Sequence, residues 1–451
     1  MKHESQLARL GLFDAKVPRY TSYPTSPHFN KDVAPSDFAD WISQVPEGGE
    51  ISLYLHVPFC RRLCWFCACR TQGTQSSDPV RAYADVLLAE LKLLKSRLAR
   101  GVTLSRLHWG GGTPTLMPAD MMRRIAQAVF DAVPLGEGAE FSVEIDPNEI
   151  DAPRLDALAE FGMNRASIGV QDFDPKIQAV IGREQSFEVT QKAVDMIRAR
   201  NVQSLNADIL YGLPHQDHAT ITRSVEQLLA LAPDRVALYG YAHVPWMARR
   251  QVMIPSEHLP TPQERLALFE TARDLFTAAG HVEIGIDHFA LPSDGLARAQ
   301  RAGKLRRNFQ GYTDDQATAL IGLGASSISK FPQGYAQNNP ATGAYTAAIQ
   351  SGGFATARGH RFSTDDKLRA RLIEALMCDF KIDRSEILSN FDIAPKDLHG
   401  MLSEAAVKFT GALALTPQGV EIPLAARALT RVIARSFDAY DLSKAGHSSA
   451  I

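Results

Sequence analysis

Tyr54-Leu-His56-Val-Pro58-Phe59-Cys60-Arg-Arg-Leu-Cys64-Trp-Phe66-Cys67-Ala-Cys69 carries four of the chain's five cysteines within ten residues. Cys60, Cys64 and Cys67 make a CxxxCxxC triplet, so three thiolates are offered by one tight loop. A cubane iron–sulfur cluster has four irons, each wanting a terminal ligand. Three local cysteines leave one iron open, and an open iron can hold a substrate or cofactor. Phe66, directly before the third cysteine, makes the pattern more specific. A zinc site would usually show paired CxxC elements or partnered histidines, and no second pair is present. The bacterial ferredoxin run needs CxxCxxC and a distant Cys-Pro, also absent. A disulfide framework does not suit a long chain with five cysteines and no secretory signal.

Cys69 lies two residues past Cys67, so the strand leaving the loop is expected to carry it away from the cluster. It reads either as a spare small hydrophobe or as a reactive thiol near the open iron. Cys378, in Leu372-Ile-Glu-Ala-Leu-Met-Cys378, sits on an apolar helical pattern and reads as core.

Working outward, six short apolar runs alternate with helical patterns. The strands are expected at Ile51–His56, Leu104–Trp109, Glu140–Ile145, Arg165–Val170, Ser204–Leu210 and Arg235–Tyr241. Amphipathic stretches fall at Ala82–Arg97, Ala119–Val133, Ala152–Phe161, Glu188–Arg198 and Ala219–Leu231. Pro118 suits the first turn of the second helix. Such repetition argues for an α/β fold with a parallel sheet and right-handed crossovers. Periodicity does not decide between a partial barrel and an open doubly wound sheet. The motifs favour the barrel, because they recur at C-terminal strand ends.

Those motifs are specific. Gly110-Gly111-Gly112-Thr113-Pro114-Thr115 follows the second strand and lets backbone approach a ligand closely. The third strand ends Glu144-Ile-Asp146-Pro147, with both carboxylates on one face. The fourth ends Gly169-Val-Gln171-Asp172-Phe173, with Arg183 soon after. In the fifth, Asp208 stands in an apolar run, where an unpaired charge is costly, so a ligand or Arg183 is its expected partner.

The chain has 451 residues, 45% of them hydrophobic, which suggests two to three domains. A net charge of −2 gives no basic field for nucleic acid. No apolar run approaches the roughly 18 residues needed to span a membrane. The N-terminus has no apolar stretch that could serve as a signal, and reduced cysteines fit a cytoplasmic location. A monomer is expected, since nothing demands an oligomer. The domain expectation is an arm over 1–48 that covers the substrate, a barrel with its extension over 49–355, a mainly helical domain over 356–442, and a disordered tail over 443–451. Residues 19–25, Arg19-Tyr20-Thr21-Ser22-Tyr23-Pro24-Thr25, read as extended. The last domain should hold helices at Asp365–Phe380 and Pro395–Phe409, a hairpin turning near Pro417–Gly419, and a helix at Ala425–Ser436.

Tyr54-x-His56-x-Pro58-Phe59-Cys60, Cys69, Gly110–Thr115, Gly169–Phe173, Tyr211-Gly212-Leu213-Pro214 and Asn308-Phe309-Gln310-Gly311-Tyr312-Thr313 occur in one order. Together with Arg19–Pro24, they make the chain resemble the oxygen-independent coproporphyrinogen III oxidases of the radical S-adenosylmethionine (SAM) superfamily over essentially its whole length. The resemblance implies a partial (β/α)6 TIM-like barrel of the radical SAM type. It implies one [4Fe–4S] cluster on Cys60, Cys64 and Cys67, and two SAM molecules. The cluster-bound one would be contacted by Tyr54, Gly111, Glu144, Ala242 and Ile328. The second would be contacted by Phe66, Gly112, Thr113, Gln171, Arg183 and Asp208. Cys69 would serve turnover as a proton or hydrogen relay.

The implied reaction is oxidative decarboxylation of two propionates of coproporphyrinogen III to vinyl groups, started by a 5′-deoxyadenosyl radical and giving protoporphyrinogen IX. A reduced flavodoxin- or ferredoxin-type protein would donate electrons. Arg19, Arg301, Arg306 and Arg307 are the candidates to pair with substrate carboxylates. Alternatives are a haem chaperone or another haem-acting radical enzyme. The chaperones lack the Tyr-rich N-terminal segment and carry an aromatic residue where this chain has Cys69, so both features favour the oxidase. Residues 289–294 are less charged than the family pattern leads one to expect.

Overall fold

The computed structural model describes residues 5–441 and 448–451. The six expected strands form, as β1 (Glu50–Val57), β2 (Thr103–Gly111), β3 (Leu135–Ile145), β4 (Arg165–Gln171), β5 (Ser204–Tyr211) and β6 (Arg235–Gly240). Each lies parallel beside its predecessor. A doubly wound sheet would reverse its strand order at a switch point. No reversal occurs between β1 and β6, so the fold is the partial (β/α)6 TIM-like barrel.

The sheet continues beyond the expected strands. On the β6 side come the short antiparallel strands β7 (Val282–Ile284) and β8 (His288–Ala290), with β7 at the edge. On the β1 side, β9 (Ala319–Leu323) adds a seventh parallel strand. Then follow β10 (Ile328–Phe331), β11 (Gly334–Asn338) and β12 (Thr356–Arg361), antiparallel and ending at the other edge. The barrel stays open because its two edge strands, β7 and β12, do not meet.

The crossover helices are Asp78–Arg97, Ala119–Ala132, Ala152–Glu160, Phe187–Arg198 and His218–Ala230, with the short Pro175–Ile181 preceding the fourth. Each buries an apolar stripe: Val80, Leu87, Leu91 and Leu94 on the first, Met122, Ile125 and Val129 on the second. Pro118 is the N-cap rather than a first-turn residue, with an extended ψ of 150°. Glu90, fully buried on the first helix, accepts from the Gly324 N–H (2.7 Å), Asn338 Nδ2 (2.8 Å) and the Tyr345 hydroxyl (2.7 Å). Burial pushes its carboxyl up to about 7 despite these donors. On the same helix, the Tyr83 hydroxyl donates to His56 O and accepts from Ala325 N, both at 2.8 Å. The helix thus ties the C-terminal ends of β1 and β9 together behind the cysteine loop.

The C-terminal region has helices at Thr364–Asp379 and Pro395–Lys408. The hairpin forms from Ala414–Thr416 and Gly419–Glu421, and a third strand, Lys381–Asp383, joins it. The continuous helix expected over 425–436 is instead broken into 3-10 turns at Leu424–Leu429 and Arg435–Phe437 around a short α-helix, Thr430–Ala434.

The arm bends more than an extended reading allows, with Tyr20 at φ 48° and a 3-10 turn at Ser26–His28. The Tyr20 hydroxyl donates to Asp438 Oδ2 (2.9 Å) and the Tyr23 hydroxyl accepts from Ala439 N (2.9 Å). Of the tail expected to be disordered, residues 443–447 lie outside the described residues. Ser448–Ile451 are instead held against the arm, through Val17 N to Ser448 O (3.3 Å) and Ala450 N to Ala15 O (2.8 Å).

Candidate active site

Side chains two apart on one strand share a face, and the site is built from that rule. Tyr54 and His56 on β1, His108 and Gly110 on β2, Ser142 and Glu144 on β3, and Asn206 and Asp208 on β5 are such pairs. The Tyr54 ring stacks on His108 (centroids 5.7 Å apart, planes at 16°), and its hydroxyl lies 3.0 Å from His56 Nδ1. His108 bridges Ser142 Oγ (2.5 Å) and Glu144 Oε1 (3.3 Å). Glu144 Oε2 accepts from Gly111 N at 3.0 Å. Burial opposes its ionisation, but His108 and the Gly111 amide outweigh it and hold the carboxyl below its ordinary range.

The cysteine loop is pinned from several sides. Gly112 N donates to Val57 O (2.8 Å) and Thr113 N to Phe59 O (2.7 Å). Trp65 N donates to Ile181 O (2.9 Å), and Thr74 N to Cys60 O (3.0 Å). Gly111 adopts φ 111°, and a Cβ there would stand 2.6 Å from the His56 ring; at Gly112 it would stand 2.6 Å from Phe59 O. Only glycine permits this approach of β2 to the loop. Burial pushes the Cys60 thiol up to about 11 and also raises Cys64, against the pull of the Arg183 charge. Side-chain interaction between the two thiols lowers Cys67 and raises Cys69. The backbone N–H of Cys69 also donates to Cys67 Sγ, at 3.4 Å. The expectation that the chain carries Cys69 away is therefore corrected: it stays beside Cys67, exposed, with its carbonyl held by Arg250 at 3.2 Å.

Of the second set of candidates, Arg183 reaches Asp146 (3.4 Å), Gly169 O (3.0 Å), Gln185 Oε1 (3.0 Å) and Cys64 Sγ (3.6 Å). Gln171, at φ 70°, lies with Arg183 over Gly169, where a Cβ would meet both side chains. Arg183 pairs with Asp146 rather than Asp208. The hydrogen-bond partner of Asp208 is Asn206 Nδ2, at 2.8 Å. Burial, with Glu144 also nearby, pushes the Asp208 carboxyl up to about 7. Phe66 and Ala242 are joined by Gln251, whose Nε2 donates to both carbonyls, at 2.7 and 3.0 Å. Ile328 presents its carbonyl to Gly322, the β9 partner of Tyr54.

Sequence reading missed His108, Gln251 and Arg250. The shared β2 face of His108 and Gly110 was a legible signal for the first. The segment carrying the other two has no period to read.

The donor set suits an iron–sulfur cluster and a cationic nucleotide cofactor. Among the described residues no three His, Cys, Asp or Glu side chains converge on a single ion. Cys60, Cys64 and Cys67 are nonetheless brought onto one pinned loop, and thiolates are the ligands that iron–sulfur clusters take. The glycine cradle, the carboxylates Glu144 and Asp208, and the partnerless buried Nε of Arg183 and Oδ1 of Asn206 leave polar groups for a ligand that bears both charges.

Comparison with known proteins agrees. The profile of the Radical SAM superfamily matches residues 54–228, and with the full-length relatives below it shows a radical SAM enzyme, a class that uses a [4Fe–4S] cluster and SAM. A protein of Paracoccus denitrificans named oxygen-independent coproporphyrinogen III oxidase is 68% identical over 451 residues, covering 100% of both chains. One of the same name from Cereibacter sphaeroides is 59% identical over 97% of this chain and 98% of its own. The solved coproporphyrinogen III oxidase of Escherichia coli, described as a radical SAM enzyme, superposes with a TM-score of 0.89 at 35% identity, over 95% of this chain and 100% of that one. The chain belongs to the oxygen-independent coproporphyrinogen III oxidase family.

Proposed function

We propose that this chain converts coproporphyrinogen III to protoporphyrinogen IX by oxidative decarboxylation of two propionates to vinyl groups, within haem biosynthesis. The observation that carries this beyond the family name is a cavity of about 1140 Å³ between the arm, the barrel mouth and the C-terminal region, lined by Arg19, Ala242, Arg265, Arg307 and Arg431 among others. Ordinary small-molecule sites span about 300–1,000 Å³, so the space suits a large polyanion. The cluster and SAM, when bound, supply one-electron cleavage of a sulfonium bond and hence a radical able to take hydrogen from a propionate. Each decarboxylation would then give one hydrogen atom to that radical, release one CO₂, and pass one electron to an external one-electron acceptor.

The chain's own residues bind, orient and shield. Cys60, Cys64 and Cys67 hold the cluster in this proposal. Tyr54, Gly111, Glu144, Ala242 and Ile328 contact the SAM beside it. Phe66, Gly112, Thr113, Gln171, Arg183 and Asp208 hold a second SAM, a reading supported by Gln171 and Arg183 lying together over Gly169 and by the close approach of Gly112 to the cysteine loop. Cys69 is placed as the relay, supported by its exposed position beside Cys67. The arm (1–48) covers the substrate over the barrel (49–355), with the C-terminal domain (356–442) as the other wall. A reduced flavodoxin- or ferredoxin-type protein delivers electrons to a monomer in the cytoplasm. No helix among the described residues is long and apolar enough to cross a membrane.

Anaerobic incubation of the cluster-loaded protein with coproporphyrinogen III, SAM and reductant tests the reading. Protoporphyrin fluorescence after oxidation is expected. SAM cleavage without any loss of CO₂ would overturn it.

A further inference from the structure

The large cavity contains more positive charge than the protein itself neutralises. Arg307 is paired with Asp287 (3.4 Å), and Arg273 and Arg427 share Glu283 (3.6 and 3.2 Å). Among the described residues, Arg19, Arg265 and Arg431 have no carboxylate within ion-pairing distance. They are nevertheless fixed in place by backbone carbonyls. Arg19 Nη2 donates to Gly240 O (2.6 Å), and Arg265 Nη2 to the next carbonyl, Tyr241 O (2.8 Å). Arg431 donates to Val17 O (2.5 Å) and Pro18 O (3.0 Å), the two residues that deliver Arg19, and through Nη1 to Ser449 O (3.2 Å) and Ala450 O (3.0 Å), which leaves one N–H of Nη2 for an anion. A Cβ at Gly212 would stand 2.2 Å from Arg265 Nη1, so the barrel wall is hollowed to admit this guanidinium. The Arg265 Nε is buried with no hydrogen-bond partner.

Burial, then the neighbouring charges of Arg19 and Arg307, push Arg431 down to about 9; burial and Arg19 lower Arg265 as well. Like charges held together without a counter-ion are costly unless an anion joins them. The carbonyls that Arg19 and Arg265 hold directly precede Ala242, placed above beside the cluster-bound SAM, so an anion here lies at the edge of the reaction site.

We propose that Arg19, Arg265 and Arg431 form one anion subsite that holds the two carboxylates which the product retains. This rests on the proposed substrate. The retained pair is favoured by chemistry. A carboxylate that leaves as CO₂ must give up its charge, and tight pairing with guanidinium would stabilise the starting state and slow that loss. A carboxylate that remains can be held throughout, as an anchor.

The test uses cluster-loaded protein, anaerobic fluorescence titration, and protoporphyrin IX against its dimethyl ester, which differ only in the two retained carboxylates. The unaltered enzyme should bind the acid at least about tenfold more tightly, the scale of a charge-assisted hydrogen bond. Arg265→Gln and Arg431→Gln should lose most of that preference while keeping iron content. Arg123→Gln should keep it, because Arg123 lies on the second crossover helix, paired with Glu160 (2.6 Å), away from the cavity. Equal affinity of the unaltered enzyme for acid and ester overturns the proposal, whatever the variants do. So does a preference that survives in both Gln variants, or one seen only with coproporphyrin III and its tetramethyl ester. Failure of the unaltered enzyme to turn over coproporphyrinogen III would instead remove the proposed function, which is read separately.

Discussion

The backbone N–H of Cys69 donates to the Cys67 sulfur, and Ser at that position would keep this contact while removing the weak S–H bond. Cys69→Ser should therefore keep about four irons per chain and the cluster's visible absorption, yet lose most product. Cys60→Ser should lose both. Iron analysis beside product assay separates the two, and loss of iron from Cys69→Ser would make Cys69 structural. Asp208 makes a different prediction. Its carboxyl, held up near 7 by burial, is neutral at lower pH and ionised above. In the cluster-loaded enzyme the affinity for cationic SAM should climb as pH rises through about 7. Asp208→Asn should flatten that profile and weaken binding by about 10- to 100-fold, the range of a hydrogen bond to a charged group. Equilibrium titration from pH 6 to 8 reads both. An unchanged profile would leave Asp208 with a purely structural part.

Among the elements, the first crossover helix does more than cover the sheet, since Glu90 joins it to Gly324, Asn338 and Tyr345. The folded carboxyl is raised from 4.5 to about 7, so the folded state holds its proton over a range where the unfolded chain releases it. Stability from this group is complete below about 4.5 and falls as pH rises through about 7, by up to about 3 kcal/mol. Glu90→Gln should remove that slope, checked by denaturant unfolding at several pH values; an equal slope in the variant would move its origin elsewhere. The six parallel strands and their crossover helices were legible because apolar runs and 3.6-residue stripes are local signals. β9 was not, since Ala319–Leu323 makes sense as a strand only once β1 offers its free edge. The broken helix near 430 escaped for a related reason: an apolar period does not distinguish 3-10 turns from α. Of the site, the cysteines, the glycine turn and the strand-end carboxylates were readable from type and spacing. Arg265 and Arg431 were not, because only the folded chain brings them to Arg19.

At the scale of the molecule, the cavity wall depends on the two ends of the chain clasping each other. Tyr20 donates to Asp438 across 418 residues, and Asp438 also accepts from Tyr440 N. Tyr20→Phe would leave that buried carboxylate short of a donor. It should cost about 1–3 kcal/mol and raise KM for substrate more than it lowers kcat. Faster proteolytic cutting within residues 15–30 would report the loosened arm, whereas an unchanged cutting rate and KM would make the clasp incidental. The same clasp sets an order of assembly during synthesis. β2 to β6 each pair with a neighbour already made, and the barrel's last strand, β12, is finished at Arg361. Among the described residues, the C-terminal partners of the arm, Arg431, Asp438, Ala439, Ser448 and Ala450, emerge from the ribosome only afterwards. The strands that carry the cysteine loop and the glycine turn can therefore all pair before the residues that clasp the arm are made.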